Sequence, residues 1–421
     1  MMAKRGTSTA VPRLRFPEFR KSDAWMPIKL GSVLNFQVGF PFPSKGFTEE
    51  GSGLRLIRNR DLRSNDKPIF YTDPYSIDFV VSDGDILVGM DGDFTPCVWG
   101  GGEALLNQRV GRVLPKADND KRFLLYFLTS HLKAIEDSAA RTTVKHLSHS
   151  DVEKICEPLP CCKEQQKIAD CLTSLDEVIA AQGRIVAALK AHKRGLMQQL
   201  FPREGETRPR LRFPEFRNAS EWITRPLGEL MVIGSSRRVH ESDWTTTGVP
   251  FYRARDIVAI GKGGPINSLF ISEDLYTEFT GFTGEIEEGQ LLVTGVGSIG
   301  IPYLVKSDDR FYFKDGNIIW LKNNQADLLG DFLLRLFESD YVQGQIAMMA
   351  GIGTVGTYTI ENAKRTIAVF PLDKCEQQHI ADFLSSLDIQ IAAEFSLLTA
   401  LKTHKHGLMQ QLFPSREVVA A

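Results

Sequence analysis

The sequence predicts an α/β protein: two mixed α/β domains separated by an antiparallel two-helix coiled coil, with an internal pseudo-twofold repeat. Three observations predict it. The octapeptide RLRFPEFR occurs at Arg13–Arg20 and again at Arg210–Arg217, 197 residues later (210 − 13), and Trp25/Trp222 and Leu30-Gly31/Leu227-Gly228 keep that offset. A second match, offset by 212 (376 − 164), aligns EQQKIADCLTSLDEVIAAQGRIVAALKAHKRGLMQQLFP from Glu164 with EQQHIADFLSSLDIQIAAEFSLLTALKTHKHGLMQQLFP from Glu376; about two thirds of these positions are identical. Both copies of the second match carry a sustained heptad.

The N-terminal stretch MMAKRGTSTAVP is polar and lacks the apolar core of a signal peptide. No run of 18 apolar residues occurs, so no membrane span is expected and the chain reads as cytoplasmic. Lys plus Arg is 50 against 52 Asp plus Glu, a net charge of −2. That excludes an all-over cationic coat, so any nucleic-acid contact must come from local patches. Residues 1–63 hold 12 Lys/Arg against 5 Asp/Glu: either such a patch or a slightly basic solvated surface. The six cysteines form no C-x-x-C, and His404 and His406 have no second ligand pair at zinc spacing; neither a disulfide scaffold nor a metal site is expected.

The plan divides the chain into residues 1–160, a first mixed domain; 161–205, a helix; 206–372, a second mixed domain; 373–414, a helix; and 415–421, a tail. Between the well-matched ends the two domains diverge, and only islands survive. LRLIRNRDL (Leu54–Leu62) pairs with VPFYRARDI (Val249–Ile257), DGDILVGMDGD (Asp83–Asp93) with EGQLLVTGVGS (Glu288–Ser298), and RTTVKHLS (Arg141–Ser148) with GTVGTYT (Gly353–Thr359). LRLIR, DILVG and FYFKDGNIIWL read as strands from their β-branched and aromatic runs. Phe123–Ala140 and Asp331–Ala350 have helical apolar spacing.

In the first helix the heptad positions are Ile168, Leu172, Leu175, Ile179, Gln182, Val186, Leu189, Lys193, Leu196 and Leu200. In the second they are Ile380, Leu384, Leu387, Ile391, Glu394, Leu398, Leu401, Lys405, Leu408 and Leu412. Pro160 and Pro371 precede the helices and Pro202 and Pro414 stop them. A helix over residues 163–200 would be roughly 55 Å long. Each seam left in water would cost about 1.5–3 kcal/mol per leucine, so the two helices are expected to pair with each other, antiparallel. The register expected from the polar seam residues sets Lys193 against Glu394 and Gln182 against Lys405. Seams that bind partner helices instead are the alternative.

Catalytic signatures are missing. GVGSIG (Gly295–Gly300) fits the GxGxxG string but runs into Ile301, Pro302 and a β-rich stretch, which reads as a turn. No G-x-x-x-x-G-K-[ST], no acidic-x-Lys and no G-x-S-x-G occurs, and Asp73-Pro74-Tyr75 lacks a proline of the amino-methyltransferase motif. A chain without its own catalytic centre is expected.

The RLRFPEFR…W…LG starts and the duplicated EQQ…GLMQQLFP helices resemble the specificity subunit of type I restriction–modification enzymes over nearly the whole chain. That resemblance implies two target recognition domains, each reading one half of a bipartite, non-palindromic DNA site, with the two helices as spacer. It implies as partners double-stranded DNA, two methyltransferase subunits and restriction/translocase subunits. S-adenosylmethionine, ATP and Mg are expected on those subunits and no cofactor or metal on this chain. A rod of roughly 55 Å suits half-sites one or more DNA turns apart, about 34 Å each. One inserted heptad should change the spacer by about 10 Å. A coiled-coil scaffold joining two heads that bind other ligands stays open as the alternative.

Candidate DNA contacts follow from residue type. Arg58 and Arg60 match Arg253 and Arg255; arginines fork onto guanine or clamp phosphate, or here pair with Asp61 and Asp256 to shape a loop. Ser44 and Lys45 lie in GFPFPSKGF, which resembles a family loop near DNA or else folds onto its own domain. Arg141, Thr142, Lys145, His146 and Ser148, with Thr354, Thr357 and Tyr358 in the second copy, offer donors to bases or phosphates, or form a plain connection. Asn107, Gln108 and Arg109 form a donor-rich run, or an ordinary turn. Arg237, Arg238 and Lys262 are phosphate candidates.

Overall fold

The structure, a computed structural model, describes residues 9–64, 66–138, 146–261, 264, 266, 269–351 and 356–414. The chain forms two compact units: residues 1–182 with 397–421, and residues 183–396.

The first unit holds three sheets. Met26–Lys29 pairs antiparallel with Cys156–Leu159. A four-stranded sheet runs Leu34–Val38, Val110–Pro115, Ile86–Gly89, Cys97–Val98. A five-stranded sheet runs Phe47–Thr48, Ile69–Tyr71, Leu54–Ile57, Ala104–Leu106, Val80–Val81, with Leu54–Ile57 and Ala104–Leu106 parallel. The second unit repeats the plan. Ile223–Pro226 pairs with Ile367–Phe370. One four-stranded sheet runs Val232–Gly234, Ile318–Lys322, Leu291–Thr294, Pro302–Leu304, and another Trp244–Thr245, Leu269–Ile271, Val249–Tyr252, Tyr312–Phe313.

FYFKDGNIIWL is two strands rather than one. Asp315-Gly316 breaks it, and Gly316 adopts a φ of 68°, a conformation that suits a residue without Cβ. The helix expected over 331–350 is likewise two, Gly330–Glu338 and Asp340–Ala350. Ser339 is extended between them, and its side chain caps the second by accepting from the Val342 N–H. Its counterpart, Lys121–Ser138, is continuous. GVGSIG is a hairpin connection between Leu291–Thr294 and Pro302–Leu304, as the sequence suggested.

Each long helix has 39 residues, Cys162–Leu200 and Lys374–Leu412. None of the twenty seam residues is exposed. In the first unit Ile168 and Leu172 share a core with Leu412 and Phe413, and Phe413 packs 5.7 Å from Phe123. In the second, Leu200 and Phe201 share a core with Ile380 and Leu384, and Phe201 packs 5.7 Å from Phe332. The start of one helix therefore lies beside the end of the other in both units, which is antiparallel pairing.

The register differs from the one expected. Lys193 donates to both oxygens of Asp388, at 2.6 and 2.8 Å, where Glu394 was expected. Lys405 meets Asp176 where Gln182 was expected. Both pairs are shifted by about one heptad from expectation. Lys193 is a seam residue with only 15% of its side chain exposed, and its ammonium reaches the off-seam carboxylate of Asp388. Each aspartate also ties in a helix of its own unit. Tyr126 donates to Asp176 at 2.7 Å, and Arg335 pairs with Asp388 at 2.6 Å.

The leucine repeat has a side effect. By length and composition the second helix is apolar enough to cross a membrane, with a mean hydropathy of 1.3 over 18 residues, although no unbroken apolar run of that length exists.

Candidate nucleic-acid interface

The R-x-R-D islands follow equivalent strands, the first forming the 3-10 turn Asn59–Leu62 and the second the opening turn of helix Ala254–Gly261. In the first unit the Arg58 N–H and Nε donate to Asp61 at 2.9 and 2.8 Å, and Nη2 donates to the Lys67 carbonyl at 2.6 Å. In the second the Arg253 N–H and Nε donate to Asp256 at 2.9 and 2.8 Å. These two arginines build the turn. The next ones face out: Arg60 and Arg255 are 61% and 67% exposed, each 3.7 Å from the aspartate that its neighbour occupies.

Three backbone hydrogen bonds recur around this turn in both units, although the sequences between the islands differ. The Asn107 N–H donates to the Ile57 carbonyl, as the Lys314 N–H does to Tyr252. The Met90 N–H donates to Arg109, as the Gly295 N–H does to Asn317. The Leu147 N–H donates to Met90, as the Tyr358 N–H does to Gly295. The islands singled out in the sequence thus converge on one frame. Its side chains correspond as Arg60 with Arg255, Asn107 with Lys314, Arg109 with Asn317, Asp91 with Val296, and His146 with Thr357.

In the first unit Asp91 organises the frame. Its Oδ1 is 3.2 Å from Arg109 Nη1 and 2.9 Å from His146 Nδ1, and Arg109 is 55% exposed. Asn59 donates to the Asp91 carbonyl at 2.7 Å. Gly89 permits this approach, because a Cβ there would lie 2.3 Å from Asn59 Oδ1. In the second unit Arg253, Arg255, Ser298, Lys314 and Asn317 line an open cavity of about 380 Å³.

Other nominated residues take separate places. Gln108 and Thr357 are exposed on the frame, but Asn107 is buried and contributes its backbone. Ser148 caps helix His149–Glu153, its hydroxyl bonded to Asp151, which holds the Asp151 carboxyl below its usual range. Tyr358 corrects the sequence expectation: the ring is 1% exposed and the hydroxyl is 2.7 Å from Thr366 Oγ1, because the residue fills the core beneath the frame. Burial pushes its phenol up to about 12. The GFPFPSKGF loop packs Phe42 on Tyr71, at 4.8 Å, and leaves Ser44 and Lys45 exposed in a turn. Arg237 lies over Phe282, 4.6 Å from the ring centre, and Arg238 bonds Asp315 at 3.0 Å. Arg141, Thr142, Lys145, Lys262 and Thr354 lie outside the described residues.

Sequence reasoning missed Asp91, Lys314 and Asn317. Asp91 sits in a quoted island, but its partners are 18 and 55 residues away. Lys314 and Asn317 were hidden inside a run read as one strand. The repeat also left a signal unused. Arg15 of the first octapeptide forks onto Glu164, both bonds 2.8 Å, and Arg212 of the second forks onto Glu376 at 2.6 and 2.7 Å. The octapeptides and the EQQ starts persist together because they meet.

A family model described as the type I restriction modification DNA specificity domain matches residues 22–191. The chain is 37% identical over 165 residues to the type I restriction enzyme EcoBI specificity subunit of Escherichia coli, a match covering 39% of this chain and 35% of that protein, so the chain spans about a third of that relative's length. It is 25% identical over 411 residues to the MjaVIII specificity subunit of Methanocaldococcus jannaschii, covering 96% of this chain and 94% of the other. The fold is similar to the crystal structure of a type I restriction–modification S subunit from M. genitalium: TM-score 0.59, 17% identity, 96% of this chain and 99% of that one.

Proposed function

We propose, for a chain that belongs to the family of type I restriction–modification specificity subunits, that it is the non-catalytic, sequence-reading subunit of such a complex. In this reading each recognition domain takes one half of a bipartite, non-palindromic site on double-stranded DNA. The observation that carries it is the recurrence of one loop frame in both units, each with an outward arginine beside side chains that differ. A constant cation positions a duplex by its phosphates, while varied side chains on a fixed frame distinguish bases. Unlike side chains on that frame imply unlike half-sites.

The partners in this proposal are two methyltransferase subunits and restriction/translocase subunits. S-adenosylmethionine, ATP and Mg are carried by those partners. Apolar side chains left exposed on the long helices support docking: Val178 is 50% exposed, Ile389 72% and Phe395 52%. A cytoplasmic location follows from this reading, since the DNA substrate is there.

The test is binding of the full chain, with its methyltransferase subunits, to duplexes of randomised sequence at several salt concentrations. Enrichment of a two-part motif, with affinity falling steeply as salt rises, is expected. Binding that ignores both sequence and salt would support the scaffold alternative. Exchanging residues 1–160 for those of a relative should change only one half of the motif.

A further inference from the structure

The GVGSIG loop and the donor-rich run at residues 107–109 are the two sequence features that a general DNA-binding role leaves unexplained. The frame relates them. In each unit the residue after strand Ile86–Gly89 or Leu291–Thr294 receives its backbone bond from one partner, Arg109 in the first and Asn317 in the second: the Met90 and Gly295 N–H groups donate to their carbonyls. The same backbone position thus presents a guanidinium in one domain and a carboxamide in the other.

We propose that this position selects a base in each domain, with Arg109 taking a guanine in the first half-site and Asn317 an adenine in the second. The inference rests on the DNA-reading function proposed above and deepens it. Arginine presents parallel N–H donors that match guanine O6 and N7; a carboxamide presents one donor and one acceptor that match adenine N7 and N6.

The surroundings of the two residues fit those roles. Asp91 holds Arg109 from one side at 3.2 Å, and the guanidinium remains more than half exposed, so some of its donors stay free. His146 on the same carboxylate oxygen limits how far Asp91 can turn. In the second unit Val296 replaces Asp91, so no carboxylate draws on the Asn317 amide. Among the described residues, the Asn317 carboxamide has no hydrogen-bond partner; it lines the open cavity beside Arg255 and Lys314, cations suited to the flanking phosphates. The turn before Asn317 needs Gly316 at φ 68°, which fixes where the carboxamide is presented.

The experiment is sequence selection by the full chain with its methyltransferase subunits from a randomised duplex pool, using the unaltered protein, Arg109→Ala, Arg109→Lys and Asn317→Ala. An unaltered protein that selects no motif overturns the DNA-reading function itself, before any variant is considered. If it selects a motif, one half should contain an invariant guanine and the other an invariant adenine. Arg109→Ala should cut discrimination at that guanine by roughly ten- to a hundredfold and leave the other half unchanged. Arg109→Lys keeps the charge and the stem but loses the fork, and should relax the same position with affinity largely retained. Asn317→Ala should relax the adenine alone. A motif that survives Arg109→Lys and Asn317→Ala at every position, or that lacks either base, overturns the inference while leaving the DNA-reading function standing.

Discussion

A guanidinium only 6–7% exposed keeps its charge, so burying it is costly unless a carboxylate meets it, as Glu164 and Glu376 do for Arg15 and Arg212. The side-chain bond to the glutamate, above all, raises each arginine's pKa against the cost of burial. Arg212→Ala leaves Glu376 buried without its partner and should cost about 3–5 kcal/mol; urea unfolding measures it, and Arg212→Met with Glu376→Leu should recover most of the loss. The arginines of the R-x-R-D turns divide differently. Arg60→Ala should weaken DNA binding and lower the salt slope by about one without changing the melting temperature. Arg58→Ala, which strips Asp61 of its closest side-chain partner, should lower the melting temperature. Asp151 supplies a pH dependence. Its carboxyl is held low first by the Ser148 hydroxyl, so its folded pKa lies below the unfolded value. Its stabilising contribution is therefore complete above about pH 4 and is lost as pH falls through the folded pKa. Ser148→Ala should flatten that acid loss in urea titrations between pH 7 and 3.

At the scale of elements, the long helices show what a heptad reveals and what it leaves open. The seam is written in leucine spacing, so every covered position was readable. The register was not, because it depends on Asp176 and Asp388, which lie off the seam, and on Tyr126 and Arg335, which lie on other elements. Charge exchange tests the register. Lys193→Asp should destabilise the second unit through repulsion from Asp388 and Glu338, and adding Asp388→Lys should restore part of the loss in a double-mutant cycle. No recovery would mean that Lys193 is held by something other than Asp388. Strand and helix interruptions were similarly hidden. Asp315-Gly316 and Ser339 each break an apolar run whose periodicity alone reads as continuous.

Across the whole molecule, the repeat made the two-domain plan legible, because long matched segments survive wherever a helix or a buried ion pair needs them. The loop frame shared by the two units was only partly legible. Its islands could be aligned, but the bonds joining residues 57, 90, 107 and 147 span tens of residues and leave no local pattern. The cores also cross the boundaries suggested by composition. Trp222 and Phe332 of the second unit share a cluster with Ile380 and Leu384 from a long helix and with Phe201, just past the end of the other. Residues 206–372 expressed alone should therefore expose that face, bind a hydrophobic dye and unfold without a sharp transition, whereas residues 183–396 should unfold cooperatively in calorimetry.

The first unit is built from two stretches of chain with the whole second unit, residues 183–396, inserted between them. During synthesis Phe123 emerges long before Leu412 and Phe413, the side chains that close its core. The ribosome thus completes the later unit before the earlier one, which must wait, its apolar surface open, for the last helix to arrive. Birth order and maturation order are reversed, and truncation near the C-terminus should damage the half of the protein that was made first.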